Sequence, residues 1–399
     1  MTDSNDSNDF DFLPDRRHSN SMKWGAERRL TPEQAAADPL PMWVADMDFR
    51  VAEPIRRALH EAVDFGVFGY GSIPTSFLEA VASWQKRRFG WDISHEWVLQ
   101  TPGVVSAINM AIHAFTNPGD FVLIQTPVYV HFHYDVQING RRLAQAPLHY
   151  DGERYRFDAN AFEAAIQPGT KLFILCNPHN PTGNVWSRDE LITMGEICAR
   201  HGILVLSDEV HQDIILDETK QHVAFGTLGP ALANNCIVAT APSKTFNIAG
   251  LQCSNMIIPN KRIREQFRRQ CERSGINLVN QMGVVACEAA YRHGEPWLES
   301  LVGYLRENQR LFAQSINAMD VGLKVFPAES TYLAWMDCRA LRMSDAELQD
   351  VLLRKARVWF DVGPKFGQGG QGFMRVNLGC PRSLVNEAIA RIGDAFRRN

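Results

Sequence analysis

Three unbroken apolar runs, each ending in a polar segment, constrain this chain more than any other feature. They are Lys171-Leu172-Phe173-Ile174-Leu175-Cys176 before Asn177-Pro178-His179-Asn180-Pro181-Thr182-Gly183, Ile203-Leu204-Val205-Leu206-Ser207 before Asp208-Glu209-Val210-His211, and Cys236-Ile237-Val238-Ala239-Thr240 before Ala241-Pro242-Ser243-Lys244-Thr245-Phe246-Asn247. Strands with one wet face alternate apolar and polar residues. Continuous β-branched runs instead read as strands buried on both faces, as in a parallel sheet covered by helices. From about residue 66 to 296, helical and strand-like segments alternate, so the expected class is α/β, a mostly parallel doubly wound sheet. Such sheets bind ligands beyond the carboxyl ends of their strands. Asn180, Asp208 and Lys244 all stand there.

Those three residue types suit one cofactor, pyridoxal 5'-phosphate. A lysine amine condenses with its aldehyde, a carboxylate keeps its pyridine nitrogen protonated, and an asparagine donates to its ring oxygen. A phosphate site is also on offer. Thr101-Pro102-Gly103-Val104-Val105 follows a strand-like 97–100 and opens an apolar helical run, and a helix N-terminus presents unpaired N–H groups and a positive dipole end. An ordinary strand-to-helix turn with a capping glycine would look the same in isolation; beside the lysine, aspartate and asparagine, phosphate binding by Gly103, Val104 and Val105 is the favoured reading.

Five strings in order carry a resemblance that runs nearly end to end: Pro41-Met42-Trp43-Val44-Ala45-Asp46-Met47-Asp48-Phe49, Asn177 to Pro181, Ser207 to His211, Lys244-Thr245-Phe246-Asn247-Ile248-Ala249-Gly250-Leu251-Gln252, and Arg375-Val376-Asn377-Leu378-Gly379-Cys380-Pro381-Arg382. The chain resembles the fold-type I pyridoxal phosphate enzymes of the class I/II aminotransferase superfamily, and within them the MalY/PatB group of cystathionine and cysteine-S-conjugate β-lyases. That resemblance implies a large cofactor-binding domain and a smaller α+β domain. It makes Lys244 the catalytic lysine and Asn180 and Asp208 cofactor ligands. It also places Ser243 on the phosphate, Tyr129 against the ring, and Tyr70 on the phosphate of a neighbouring subunit, which implies a homodimer. His211 stands where many aminotransferases place a tyrosine that donates to the ring oxygen. Arg375 matches the arginine that grips the substrate α-carboxylate, for which a guanidinium is suited by its two parallel hydrogen bonds. Two departures stand out: Gln252 replaces an arginine often found eight positions after the lysine, and Ala224 replaces a family proline in His222-Val223-Ala224-Phe225.

Length and charge fit this reading. At 399 residues the chain exceeds one ordinary core; the expected division is 66–296 for the large domain and 15–65 with 297–399 for the small one. Residues 1–14, polar and poor in apolar side chains, are expected to be a disordered tail. A net charge of -4 argues against a nucleic-acid binder, whose affinity rests on clustered Lys and Arg. The 8 cysteines form no C-x-x-C pair and read as buried free thiols of a reducing compartment. Without a basic and apolar leader or an 18-residue apolar stretch, the expectation is a cytoplasmic protein with a small amino-acid substrate and no membrane partner.

Other features take plain readings. His131-Phe132-His133 has no carboxylate or cysteine cluster to complete a metal site, so no metal is expected. Gly367-Gln368-Gly369-Gly370-Gln371-Gly372 precedes a strand rather than following one, which excludes a dinucleotide loop. Arg382 reads as structural, and Trp186, Tyr332 and the Asp46 segment are candidates for the side-chain pocket or, equally, for core packing. Loss of the substrate Cα proton opens two routes, elimination of a β-substituent or reprotonation to a transamination product. The core residues do not separate them; the subgroup resemblance favours carbon-sulfur elimination, with an aminotransferase as the alternative. A non-catalytic regulator on the same fold is disfavoured by the intact Lys244 and Asp208.

Overall fold

The structure, a computed structural model, describes residues 9–397. The central sheet has strands β1 (Val98–Thr101), β2 (Phe121–Thr126), β3 (Arg142–Pro147), β4 (Thr170–Cys176), β5 (Leu204–Asp208), β6 (Cys236–Thr240) and β7 (Ser254–Ile257). Their order is β1-β7-β6-β5-β4-β2-β3. Only β7 runs antiparallel to its neighbours; the other pairs are parallel. The three apolar runs thus become the adjacent strands β4, β5 and β6, the middle one shifted by a single residue.

Burial on both faces explains those runs. Side chains alternate across a strand: Phe173 and Leu175 join a core with the helices Thr75–Phe89, Arg188–Arg200 and Gln281–His293. Leu172, Ile174 and Cys176 join the opposite core, under the helices Val104–Phe115 and Lys261–Arg273. Register levels the strand ends, with Cys176 opposite Asp208 and Asp208 opposite Ala239. Asp208, at the end of β5, and the loops carrying Asn180 and Lys244 therefore stand side by side at one edge of the sheet.

A four-stranded antiparallel sheet, Lys324–Val325, Leu333–Asp337, Phe373–Asn377 and Asp361–Val362 in spatial order, packs with the helix Arg382–Phe396 around a separate core. The long helix Glu295–Ala318 serves both parts. Its first half places Trp297, Leu298 and Leu305 in the large core, while Phe312 and Ile316 enter the small one. No helix among the described residues is long and apolar enough to cross a membrane.

The tail expectation needs correction. Residues 1–8 lie outside the described residues, but 9–14 are anchored: Phe10 is 7% exposed and its ring lies 5.2 Å from Phe49, 5.6 Å from Trp297 and 5.4 Å from Tyr304. Arg50 covers the ring of Phe12 at 4.1 Å. One aromatic anchor offsets the ordering of a short polar segment, which average composition conceals. All eight cysteines are buried and unpaired.

Candidate active site

Beyond β6, a single helical turn, Pro242–Thr245, presents Lys244 half-buried. Its Nζ donates to the carbonyl of Ala45 at 2.7 Å. Burial pulls the ammonium down to about 8; the Asp46 carboxylate opposes this, the Arg375 charge adds to it, and Asp208 opposes it more weakly. An amine near neutrality is a usable proton acceptor at physiological pH.

Asp208, 4% exposed, ends β5. Burial pushes its carboxyl up to about 7, moderated by the Val210 N–H, which donates to Oδ1 at 3.2 Å, and by the Lys244 charge. A carboxylate so poor in partners favours a cationic neighbour. Three residues on, His211 is also buried, its Nδ1 unpartnered. Burial, then the charges of Lys244 and Arg375, pull its pKa down to about 3, so the imidazole is neutral.

Arg375, on Phe373–Asn377, is 4% exposed. It donates to Asn180 Oδ1 at 3.2 Å, to the Trp43 carbonyl at 2.8 Å and to Asp361 Oδ2 at 3.0 Å. Its Nε has no partner. The bond to Asn180 ties the two parts of the molecule together at the site and occupies the amide oxygen, leaving the amide NH2 free to donate. Lys244, Asp208, His211, Arg375 and Asn180 thus form one group, joined by contact or by mutual charge.

Gly103 caps the helix Val104–Phe115 with φ of +93°. An added Cβ there would meet nothing within 4 Å; the left-handed conformation, rather than crowding, favours glycine. Val104 and Val105 form the first helical turn, whose N–H groups have no intrahelical acceptor. Ser243 is half-buried beside the lysine. Tyr129, half-buried, precedes the helix Val130–Ile138, and burial raises its phenol pKa. Tyr70 is not brought to this group by its own chain: it is 98% exposed, in a segment where Phe65, Val67 and Phe68 are also at least 68% exposed. Gln252 is exposed as well.

Other residues singled out in the sequence take definite places, though which carbonyl each one reaches was not readable from the sequence. Tyr332 donates its hydroxyl to the Ala45 carbonyl at 2.9 Å, the same oxygen that receives Lys244. Trp186, by contrast, is a core residue whose indole donates to the Cys176 carbonyl at 2.9 Å. His179, inside the Asn-Pro loop, bonds through Nε2 to the Pro127 carbonyl at 2.8 Å and fixes the approach to Tyr129. His131 bonds Asp135 and His133 the Phe366 carbonyl, both structural roles. Among the described residues no group of three His, Cys, Asp or Glu could hold a metal. Arg382 covers the Tyr304 ring and bonds Asn308.

This donor set fits pyridoxal phosphate. A neutral imidazole with a bare nitrogen and a carboxyl raised by burial both feel the charge of one amine, that of Lys244. The family model for aminotransferase class I and II matches residues 40–392. The chain belongs to this family. Among class I and II relatives, it is 42% identical to cystathionine beta-lyase PatB of Bacillus subtilis, over 97% of this chain and 99% of that protein. It superposes with a TM-score of 0.94 on a PLP-bound putative aminotransferase from Clostridium difficile, 40% identical, covering 98% of this chain and 100% of the other. A PLP-bound C-S lyase from Staphylococcus hominis gives a TM-score of 0.89 at 30% identity, covering 98% of both chains. The class I/II fold, a fold-type I sheet with most strands parallel, is the one expected.

Proposed function

We propose that this chain is a pyridoxal 5'-phosphate-dependent carbon-sulfur β-lyase that cleaves cystathionine or a related cysteine S-conjugate to a thiol, pyruvate and ammonia. What carries the reading is Lys244, its pKa pulled down to about 8 by burial, amid Asp208, His211, Asn180 and Arg375, in a chain similar from end to end to a cystathionine β-lyase. Bound pyridoxal phosphate supplies an aldehyde that links to amino groups and a protonated ring that takes up an electron pair from Cα. Lys244 would hold the aldehyde and, as a free amine, would take the Cα proton of the substrate. Asp208 keeps the proton on the ring nitrogen. The Asn180 amide NH2 and the neutral His211 steady the ring oxygen and the carboxylate beside it. Tyr129 would pack against the ring, while Gly103, Val104, Val105 and Ser243 would take the phosphate, without the side-chain cation that Gln252 replaces. Arg375 grips the α-carboxylate with its unpartnered edge and so orients the Cα–H bond.

Thiol and pyruvate released in equal amounts from L-cystathionine or an S-alkyl cysteine, with no keto acid added, is the expected result. Turnover that requires a keto-acid acceptor would replace the lyase with an aminotransferase on the same site.

We also propose a cytoplasmic homodimer in which Tyr70 completes the neighbouring site. The exposed apolar segment around it supports this, since a contiguous apolar patch marks an interaction surface. Two inactive variants, Tyr70→Ala and Lys244→Ala, are expected to regain part of the wild-type activity when coexpressed, because one site of the mixed dimer has both residues. Recovery absent in a proven mixed dimer would place Tyr70 outside the site.

A further inference from the structure

We propose that Asn247 is a positioning residue for the reaction, holding the strap of residues 43–49 so that its Ala45 carbonyl fixes the amine of Lys244. The inference rests on the roles given above to Lys244 and Arg375, and it applies to either fate of the Cα proton.

The strap is an irregular segment, half-buried over residues 43–46 and buried over 47–49, whose carbonyls need partners. Side chains supply them one after another. Arg375 binds the Trp43 carbonyl, Asn377 those of Val44 and Asp46, Lys244 and Tyr332 that of Ala45, and Arg16 and Asn247 that of Met47. The strap therefore touches both the base and the carboxylate-binding arginine at backbone positions two residues apart, a span of roughly 7 Å in extended chain.

Asn247 is the link that ties this strap back to the lysine turn. Its Oδ1 accepts the Met47 N–H at 2.9 Å, and its Nδ2 donates to the carbonyls of Met47 and Phe49, each at 2.9 Å. The side-chain amide thus pairs with Met47 much as a neighbouring strand would. Asn247 has φ of +56°, a conformation that asparagine tolerates better than most residues. It lies three residues after Lys244, so the lysine, the Ala45 carbonyl, Met47 and Asn247 close a ring. Arg375 keeps Asn180 and Asp361 if the strap shifts. Lys244 Nζ has Ala45 as its one hydrogen-bond acceptor among the described residues. Loosening the strap should therefore act on the base more than on substrate binding.

The test compares wild type with Asn247→Gly, which accepts the positive φ and deletes only the side chain, and with Asn247→Asp, which keeps the acceptor and loses both donors. Amide exchange over residues 43–49 is measured on the cofactor-free proteins. Steady-state rates are measured on the loaded ones, by thiol release or by transamination, whichever the wild type catalyses. The expected result is cooperative unfolding in both variants, faster exchange over the strap, and kcat lower by about 10²-fold, the scale of a misplacement near 1 Å, with KM within about threefold. Two results overturn the proposal: exchange unchanged in both folded variants, or faster exchange with kcat kept within about twofold. Should Asn247→Gly fail to fold, Asn247→Asp is read against the same criteria. A wild type that transaminates but releases no thiol would overturn the lyase reading and leave these criteria in force.

Discussion

Replacing Lys244 with alanine is expected to lower thiol and pyruvate release by about 10⁴-fold or more, because it removes both the cofactor link and the general base, a role worth about 10² to 10⁴ on its own. Lys244→Arg should fare no better. A guanidinium stays protonated at any physiological pH, whereas burial holds the Lys244 amine at about 8. Initial rates, measured with melting curves to show that each variant is folded, decide the matter. Lys244→Ala retaining more than about a hundredth of the wild-type rate would mean that another group takes the Cα proton. Asp46 and Asp208, the two carboxylates whose charges reach Lys244, would then be the next to test.

Lys244 and Asp208 were legible in the sequence because the runs that deliver them are buried on both faces, a condition that marks a parallel strand without any knowledge of its neighbours. Strand β6 matched the expected run residue for residue, and β5 by a shift of one. Periodicity reports which face is covered; it does not say which distant side chain meets which carbonyl. Asn247 belongs to one of the five strings that carry the resemblance, yet its three bonds run to Met47 and Phe49, about 200 residues away along the chain. The same holds for Tyr332 on the Ala45 carbonyl and for Asp361 on Arg375. Phe10 escaped for a different reason: a single buried ring in a stretch of Asp, Ser and Asn leaves average hydropathy low while deciding where the segment lies.

Asp208→Asn is expected to divide stability from activity. The folded protein holds this carboxyl at about 7 against an ordinary 3.8, chiefly through burial. A carboxyl raised on folding leaves stability untouched below its unfolded pKa and subtracts from it increasingly between the two values, with the full penalty above the higher one. From 3.8 to about 7 that penalty is about 4 kcal/mol. Asparagine has nearly the same shape and no charge to bury. Without cofactor, Asp208→Asn should therefore need more urea to unfold than wild type at pH 8, and the gap should narrow as pH falls towards 4. With cofactor, the variant no longer keeps a proton on the ring nitrogen, and kcat should fall by about 10² to 10³, the scale for losing one preorganised electrostatic group. Equal urea midpoints at pH 8 would show that water or a cation already relieves Asp208 in the empty site; an unchanged kcat would remove it from the electron sink. The two halves share one physical source. A carboxylate left short of partners destabilises the empty fold by the margin that a cationic ring nitrogen can recover, so the site binds a protonated ring more tightly because the protein alone does not satisfy it.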